Sequence, residues 1–435
     1  MQHQDLSREK LLKAELENLR DEGCQNTELL IEIEKALQMG ANPSMDESLW
    51  HRIGAVNAHL LESKKEPSRL DRIRGQRRSF FNFTFKEKKG FDWYDQVYGA
   101  WLARCAGCTL GKPVEGWSRE RIAAYLKAAG AYPLHSYIPA MDPFPAGLEL
   151  WKNYNGTTLG NIQRMVRDDD TDYTVIGLKT LETYGRDFQP GDIGKIWLAN
   201  LPYGSIFTAE TIAYRNMVNE MDPPYTASYR NPYREYIGAQ IRGDMWGYVN
   251  PGNPERAAEM AFRDACISHT KNGIYGEMWA AACIAAAFVL DDPLEIILTG
   301  LNYIPAESRL TQAILKTMQW VAESPSWEGV RDNIEREYAG MSSIHVINNT
   351  CLIVLGLLLG QGELGETLCI TLMGGMDTDC TCATAGSMMG AMHGARALPA
   401  EWTMPLNDEL QSSISENEIC RISYLARRTC RMMSM

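Results

Sequence analysis

The chain has 435 residues, of which 45% are apolar and 23% are charged, and its formal net charge is −12. This composition is that of an ordinary globular protein, so a disordered or fibrous chain is excluded. The apolar run 279–290 has twelve residues, fewer than the roughly 18 to 20 that a membrane span needs. At about 150 residues per domain, the length allows two or three domains, or one large helical domain with an appendage.

The N-terminal sequence and the cysteines both favour a cytoplasmic location. The first 19 residues space their charges in a helix-like pattern and lack the apolar core of a secretory signal. The eleven cysteines are scattered along a long chain, which argues for reduced thiols rather than a disulfide framework. We therefore predict a cytoplasmic protein without a membrane segment.

The first 65 residues predict a small helical appendage. Three amphipathic segments are expected to be helices, at about 7–22, 27–39 and 46–64. Gly23 and Gly40 would end the first two, and the third would follow the Pro43-Ser44 pair.

A basic stretch follows this appendage. Residues 61–90 hold ten Lys or Arg against four Asp or Glu, so this stretch carries +6 and the rest of the chain −18. We interpret it as a solvated linker; a nucleic-acid partner, which such a stretch would contact only through phosphates, is not expected. The alternating segment Phe81 to Phe85 predicts either a short strand or an arm anchored on the next domain. We place the domain boundary between residues 88 and 89.

The region from Asp92 onward is predicted to be almost entirely α-helical, because apolar residues recur there at helical spacing. Within it, 119–160 and 186–250 are rich in Tyr, Pro, Gly and Asn and are predicted to be long ordered loops. Small residues recur every fourth position in two segments, at Gly99, Ala103, Gly107 and Gly111 and at Gly386, Gly390 and Gly394. Because glycine costs up to about 1 kcal/mol in a helix interior, such stripes predict two central helices in very close contact.

Two acidic clusters are the strongest chemical signal in the sequence. Asp168, Asp169, Asp170 and Asp172 open a helical pattern. One acid would cap a helix and complement its dipole, but four would repel one another far beyond that gain. A bound cation would remove the repulsion.

The second cluster follows a glycine turn, Gly374-Gly375, with Asp377 and Asp379 two residues apart. Hard oxygen ligands without histidine suit Mg²⁺, Mn²⁺ or Ca²⁺ rather than zinc. The two clusters together predict a metal centre built on helix starts.

Other motifs carry less information. Cys105 and Cys108 have CxxC spacing but lie in a glycine stripe, so we predict packed core residues. His269 precedes a turn and is either a ligand-binding or a buried structural histidine. The turn from Gly238 to Asp244 could line a pocket with its backbone amides. The motifs of P-loop nucleotide binding, dinucleotide binding, serine hydrolases and zinc proteases do not occur.

Three segments in this order closely resemble the ADP-ribosylglycohydrolase family, also called the dinitrogenase reductase-activating glycohydrolase family. They are YGAWLARCAGCTLGKPVEGW at 98–117, DDDTDYT at 168–174 and GGMDTDCTCATAGSMMGAMHG at 374–394. A weaker likeness extends through 268–288 and 348–360, so the resemblance covers about 92–400 and leaves 1–88 unmatched. It implies an all-α domain of orthogonal helices, with a binuclear Mg²⁺ or Mn²⁺ centre at the base of a cleft.

The resemblance also implies roles for particular residues. The metal ligands would be Asp168, Asp169, Asp170, Asp377 and Asp379, with Asp168 standing where the family usually has Ser or Thr. Cys380 replaces a ligating Thr or Ser, so the second of two ions is uncertain, since a thiol suits a hard cation poorly. Glu115 would move protons, assisted by Asp379. The substrate-binding positions would be His269, Gly238, Gln240 and Gly375, in a pocket that lacks the usual Gly-Asn-Gly turn.

The implied activity is metal-dependent cleavage of the glycosidic bond between ADP-ribose and a protein side chain or small acceptor. The partners would be an ADP-ribosylated protein or a small ADP-ribose conjugate. Three alternatives stay open at this point: a hydrolase of another N- or O-glycoside or nucleotide-sugar conjugate, a non-enzymatic crystallin-like relative, and a nucleic-acid-binding protein. The appendage could mediate homo-oligomer formation or cover the cleft.

Overall fold

The computed structural model describes residues 6–39, 43–61, 63–84, 92–150, 154–324 and 326–433. These residues form 21 α-helices, a few short 3-10 turns and one two-stranded sheet, so the all-α prediction is confirmed. No helix within the described residues combines the length and apolar character that crossing a bilayer requires.

The appendage consists of α1 Arg8–Asp21, α2 Thr27–Met39, α3 Pro43–Leu61 and α4 Leu70–Gly75. The three predicted helices are present with small shifts at their ends. Gly23 follows α1 with φ +72°, a conformation that glycine adopts without strain. α3 begins at Pro43 rather than after it, because proline fits the first position of a helix, where its missing N–H is not needed. Gly40 lies outside the described residues.

The aromatic segment after the basic stretch is an anchoring arm, and residues 81–84 form no strand. The backbone N–H groups of Phe80 and Phe81 donate to Asn302 Oδ1 at 2.6 and 3.3 Å, and Asn302 Nδ2 donates to the Phe81 carbonyl at 2.8 Å. Phe85 and the predicted boundary at 88/89 lie outside the described residues. The arm therefore fastens the end of the appendage to the large helical region.

The basic stretch is not simply a solvated linker, which corrects the sequence-based interpretation. Arg74 and Arg77 pair with Glu255 at 3.4 and 2.9 Å, Arg74 also with Glu259 at 3.0 Å, and Arg78 with Glu307 at 3.0 Å. The opposite net charges of the two regions bring these side chains together. Their spacing along the chain carries no information about where the acids lie, so the pairing was invisible in the sequence.

The large helical region begins with α5 Trp93–Gly111. The other helices are α6 Arg119–Ala128, α7 Asp169–Tyr184, α8 Pro190–Asn200, α9 Thr208–Val218, α10 Tyr225–Ser228, α11 Gly243–Tyr248, α12 Pro254–Ala265, α13 Lys271–Ala287, α14 Pro293–Leu301, α15 Arg309–Glu323, α16 Trp327–Glu337, α17 Val346–Leu359, α18 Leu364–Met373, α19 Thr378–His393, α20 Ala400–Thr403 and α21 Ile422–Met433. The strands β1 Glu409–Gln411 and β2 Ile419–Arg421 pair antiparallel, with Leu410 opposite Cys420.

The prediction of long loops over 119–160 and 186–250 is wrong where α6 and α8 to α11 form. Ser118 caps α6 by accepting from the Arg121 N–H, and Pro190 opens α8. These start signals were present in the sequence. The Gly, Pro and Asn residues that suggested loops lie mostly between the short helices.

The two glycine stripes lie against each other and hold α5 and α19 in backbone contact. A Cβ on Gly107 would lie 2.1 Å from the Cys382 carbonyl oxygen, and one on Gly390 would lie 2.2 Å from the Gly99 carbonyl oxygen. Cβ atoms do not approach backbone atoms this closely, so only glycine permits the contact. The predicted central helix pair is present, and α13, whose residues are all buried, packs beside it.

Candidate metal centre

The first acidic cluster opens α7, as the sequence predicts. Asp168 is the N-cap residue, and its Oδ1 accepts from the Asp170 N–H at 3.0 Å. Its Oδ2 pairs with the Lys112 ammonium. Burial alone would raise the pKa of Asp168, but the Lys112 ammonium holds it below its usual value. Both oxygens of Asp168 thus already have a donor, while Asp169 and Asp170 project from the first turn of α7.

The second acidic cluster opens α19, with Asp377 as the N-cap and Asp379 in the first turn. The preceding turn is joined to the turn that carries Glu115. The Gly116 N–H donates to the Met376 carbonyl at 2.8 Å, and the Met376 N–H donates to the Trp117 carbonyl at 3.0 Å. These backbone bonds place Glu115 beside Asp377 and Asp379.

Within the described parts of the chain, three overlapping groups of side chains could each hold a cation. Within each group, one ligand atom per residue lies within 4.8 Å of the others. The groups are Glu115, Asp377 and Asp379; Asp170, Asp379 and Cys380; and Cys108, Asp168 and Asp170. Asp379 and Asp170 each belong to two groups, so the three groups form one continuous cluster.

Mutual repulsion among these acids supports a cation. Burial and the neighbouring carboxylates raise the pKa of Asp169 to about 8 and that of Asp379 to about 6. Burial and the neighbouring carboxylates also raise the pKa of Asp170 and that of Asp377 well above the usual value. Asp379 Oδ1 is buried and accepts no hydrogen bond from any residue that the structure describes. A buried carboxylate oxygen without a donor is costly, so the donor set fits a hard divalent cation.

The two thiols beside the cluster are poor ligands for such an ion. Cys380 Sγ donates to Asp170 Oδ2 at 3.3 Å. Burial raises the pKa of both the Cys380 and the Cys108 thiol, so each stays protonated at neutral pH. Cys105 is fully buried in α5, where we predicted packed core residues.

Asp172 faces away from the cluster, which corrects its grouping with the three preceding acids. Its carboxylate accepts from Arg167 Nε at 2.8 Å and from the hydroxyl groups of Ser412 and Ser413 at 2.7 and 2.5 Å. Ser412 and Ser413 directly follow β1, so these hydrogen bonds hold the Asp172 carboxylate on the β1 side of α7. Its charge stabilises the fold locally and needs no cation.

A cavity of about 720 Å³ opens above the acidic cluster. Its lining includes every carboxylate predicted to hold metal or move a proton, together with Gly238 and Ile241 of the predicted pocket turn. The sequence analysis gave no role to the other lining residues: Lys112, Asn155, Val166, Arg167, Phe207, Thr208, Glu210, Tyr236, Ile237, Ile344 and Gln411. We call the part formed by Glu115, Asp168 to Asp170 and Asp377 to Cys380 the metal end. The part formed by 207–212, 233–238 and 344–346 we call the wall.

Of the four predicted substrate-binding positions, the structure places Gly238 in the cavity lining. A Cβ there would lie 2.4 Å from Glu210 Oε1, so the glycine leaves room for this carboxylate. The Arg242 guanidinium donates a hydrogen bond to the same Glu210 oxygen at 2.5 Å and so holds the carboxylate in place. Nothing in the sequence linked Glu210 to the acidic motifs, because it lies on a separate helix, α9.

The other three predicted positions lie behind the lining. His269 is fully buried, with Nδ1 2.8 Å from the Ser268 hydroxyl oxygen and 3.9 Å from Glu210 Oε1. Gln240 donates to the Thr350 hydroxyl at 3.0 Å. Gly375 has φ +75°, and a Cβ on it would meet the Trp117 carbonyl at 2.8 Å. Gly375 thus permits the close contact that brings the Glu115 turn to Asp377, while direct substrate contact by these three residues stays a prediction.

Comparison with known proteins agrees with this architecture. The family model described as ADP-ribosylglycohydrolase matches residues 91–432. The chain belongs to the ADP-ribosylglycohydrolase family. One similar solved structure is titled an ADP-ribosylglycohydrolase-related protein complex, and it is 18% identical with a TM-score of 0.52. The alignment covers 78% of this chain and 99% of that one, and it supports the fold. No curated protein matches the chain.

The family points to a glycosidase of the hydrolase class, and its metal dependence agrees with the buried acidic groups. The appendage α1 to α4 lies before the matched residues. The sequence-based recognition of the family is therefore confirmed, and the unmatched character of the N-terminal region agrees with the start of the match at residue 91.

Proposed function

We propose that this chain is a metal-dependent hydrolase that cleaves the glycosidic bond between ADP-ribose and a modified protein side chain or small acceptor. The observation that carries the proposal is the cluster of overlapping carboxylate groups at the base of one cavity. The domain assignment belongs to the same proposal: residues 89–435 form the catalytic unit and 1–88 the appendage. A cytoplasmic location is supported by eleven cysteines that are all unbridged.

The residues that would hold Mg²⁺ or Mn²⁺ are Asp169, Asp170, Asp377 and Asp379. Asp168 is the weakest of the predicted ligands, because Lys112 and the α7 backbone already use its two oxygens. Two ions are expected, and the second is the less certain because Cys380 replaces a hard oxygen ligand. When bound, the cations supply Lewis acidity that orients the ribose hydroxyls and makes a water more acidic.

Glu115 is the residue that would move the proton. The negative charge of Asp379, and then burial, raise its pKa well above the usual value, which suits a carboxyl group that must carry a proton. In the reaction, a water oxygen bonds to the anomeric carbon as the bond to the leaving atom breaks through an oxocarbenium-like state. Glu115 gives its proton to the leaving atom and takes up the proton that the water releases, so it ends as it began and the products are ADP-ribose and the restored acceptor.

One observation favours the second candidate, a hydrolase of a less anionic glycoside on the same fold. Two cationic side chains, Lys112 and Arg167, occur in the described part of the cavity lining, and both are paired with acids. The diphosphate of ADP-ribose would therefore depend on backbone N–H groups or on the cations for its counter-charge. A panel of ADP-ribosyl-arginine, ADP-ribosyl-serine, O-acetyl-ADP-ribose and unrelated glycosides separates the two candidates.

The proposal is tested by measuring the metal content of the purified protein and titrating it with ADP-ribose by calorimetry. The wild-type chain is expected to bind divalent metal and ADP-ribose. Asp379→Asn removes a carboxylate shared by two groups, so it should lose most of its metal and at least about 10²-fold in turnover. Asp71→Asn is the matched control, because Asp71 is exposed and its ion-pair partner, Arg69, is exposed as well. A wild-type chain that binds neither metal nor ADP-ribose would contradict the proposal.

A further inference from the structure

The appendage shares an apolar core with the wall of the cavity. Buried side chains of α1 to α3, such as Leu12, Leu19 and Ile53, form one cluster with Ala209, Ile212, Tyr233 and Tyr236. These last four residues belong to the two segments whose other side chains line the cavity. Tyr236 itself takes part in both, and Ile344 also lines the cavity and packs against the cluster.

A fully buried arginine of the wall, Arg234, binds side chains of the appendage. We call the contacts between the appendage and the wall the seam. Arg234 Nη1 donates to both carboxylate oxygens of Glu15 at 3.0 Å, and its Nε donates to Glu22 at 3.2 Å. Its Nη2 donates to Asn57 Oδ1 at 3.1 Å, and Asn57 in turn donates to Glu15 at 3.0 Å. All three partners lie in the appendage or directly after α1, so Arg234 has its charge balanced by residues outside the family match.

A second arginine, Arg309, joins the appendage to the wall through Glu235, the residue that follows Arg234. Arg309 pairs with Glu235 at 2.6 Å and with Glu66 at 3.0 Å, and it donates to the Asp21 carbonyl at 2.8 Å. The backbone of 235–237 is in turn bonded to 344–346. The Ile237 N–H donates to the Ile344 carbonyl at 3.0 Å, and the Val346 N–H donates to the Glu235 carbonyl at 3.1 Å.

These contacts leave the wall dependent on the appendage. A buried guanidinium without its carboxylates is strongly destabilising, so the segment 233–238 cannot keep this position when Glu15 and Glu22 are removed. Tyr236 lies two residues from Arg234 and Ile237 next to Tyr236, so a shift at Arg234 moves the lining. The metal end is built from α5, α7 and α19 and makes none of these contacts.

We propose that the appendage is a positioning element for the substrate cavity, with Glu15 and Arg234 as the positioning pair. It sets the wall against the part of the substrate remote from the metals, and so determines substrate affinity rather than the chemical step. The inference rests on the proposed function in taking this cavity as the substrate site. Residues outside the family match thus affect the active site through the position of the wall.

The test uses the full chain with Glu15→Gln, which removes one charge and keeps the side-chain shape. The expected result is a KM raised about tenfold with kcat changed less than about twofold, the pattern of lost ground-state binding. Hydrogen exchange should become faster in 233–238 and stay unchanged in 377–380, and metal affinity should not change. Glu32→Gln is the matched control, because Glu32 pairs with Arg52 on the exposed side of the appendage.

A second variant and the hydrogen-exchange measurement keep the test decisive. If Glu15→Gln does not fold, Glu22→Gln replaces it, since Glu22 contacts Arg234 through a single nitrogen. If the wild-type chain neither hydrolyses nor binds ADP-ribose, the proposed function fails, and hydrogen exchange alone still tests the coupling of appendage and wall. A folded Glu15→Gln chain with unchanged KM and unchanged exchange in 233–238 would overturn the inference.

Discussion

At the metal end of the cavity, α5 and α19 touch through their backbones, whereas the wall opposite is held by side-chain ion pairs to the appendage. The first contact depends on glycine, because Cβ atoms on Gly107 or Gly111 would lie 2.1 to 2.2 Å from carbonyl oxygens of α19. The second depends on charge, with Arg234 and Arg309 each bound to several acids.

The two kinds of contact differ in the substitutions that they tolerate. The contact at Gly107 and Gly111 tolerates no larger residue, so the helix pair fixes the spacing of the carboxylates. An ion-paired seam can be altered one side chain at a time without disturbing that pair. The family match covers both the metal end and the wall and begins after the appendage, so the appendage side of the ion pairs is the part that the family model does not include.

The largest effect is expected from Glu115→Gln, which removes proton transfer at the metal end while leaving the helix pair intact. Turnover should fall about 10²- to 10⁴-fold, while most of the metal content of the purified protein is retained, because the four Asp ligands remain. Steady-state kinetics and metal analysis check both parts. The exposed Glu401, changed to Gln, serves as the control. Normal hydrolysis of an ADP-ribosylated substrate by Glu115→Gln would show that the assignment is wrong.

Gly107→Ala should break the backbone contact itself. The added Cβ would meet the Cys382 carbonyl at 2.1 Å, and because neither backbone can yield, the free energy of unfolding should fall by about 3 kcal/mol or more. Denaturant titration measures this free energy of unfolding. The same change at Gly54, where nothing lies within 4 Å of the new Cβ, should be neutral or stabilising by up to about 1 kcal/mol. Equal effects at both positions would refute the close packing.

Gly238→Ala tests the wall and should have the smallest effect. The new Cβ would displace the Glu210 carboxylate, which lies 2.4 Å away, and weaken its bond to Arg242. A loss of about 1 kcal/mol in substrate binding corresponds to a KM raised about fivefold, with kcat nearly unchanged. Gly191→Ala, in open space on α8, is the control. A fall in kcat without a change in KM would place Gly238 in the chemistry rather than in binding.

The metal end could be predicted from the sequence because its signals are local. A four-residue glycine period fixes a helix face, and acids that follow a turn or open a helix fix their own placement. The helix pair and the convergence of Glu115 with Asp377 and Asp379 therefore followed from short motifs and a family resemblance.

The wall could not be predicted, because its parts meet only in the folded chain. Glu210 reaches the cavity from α9, and Arg234 finds Glu15 across a separation of more than two hundred residues. The same limit explains Asp172, whose partners Ser412 and Ser413 come from the far end of the chain. Its grouping with the metal ligands was a local inference that a non-local contact overturned.

The two hydrogen bonds between Met376 and the Gly116-Trp117 turn are both backbone to backbone. The distance from Glu115 to Asp377 is thus encoded in peptide groups that nearly every substitution leaves in place. Selection can exchange side chains around the cavity and alter what it accepts while the proton carrier keeps its alignment with the acids. This backbone junction therefore allows the substrate preference to change while Glu115 stays aligned with the acids.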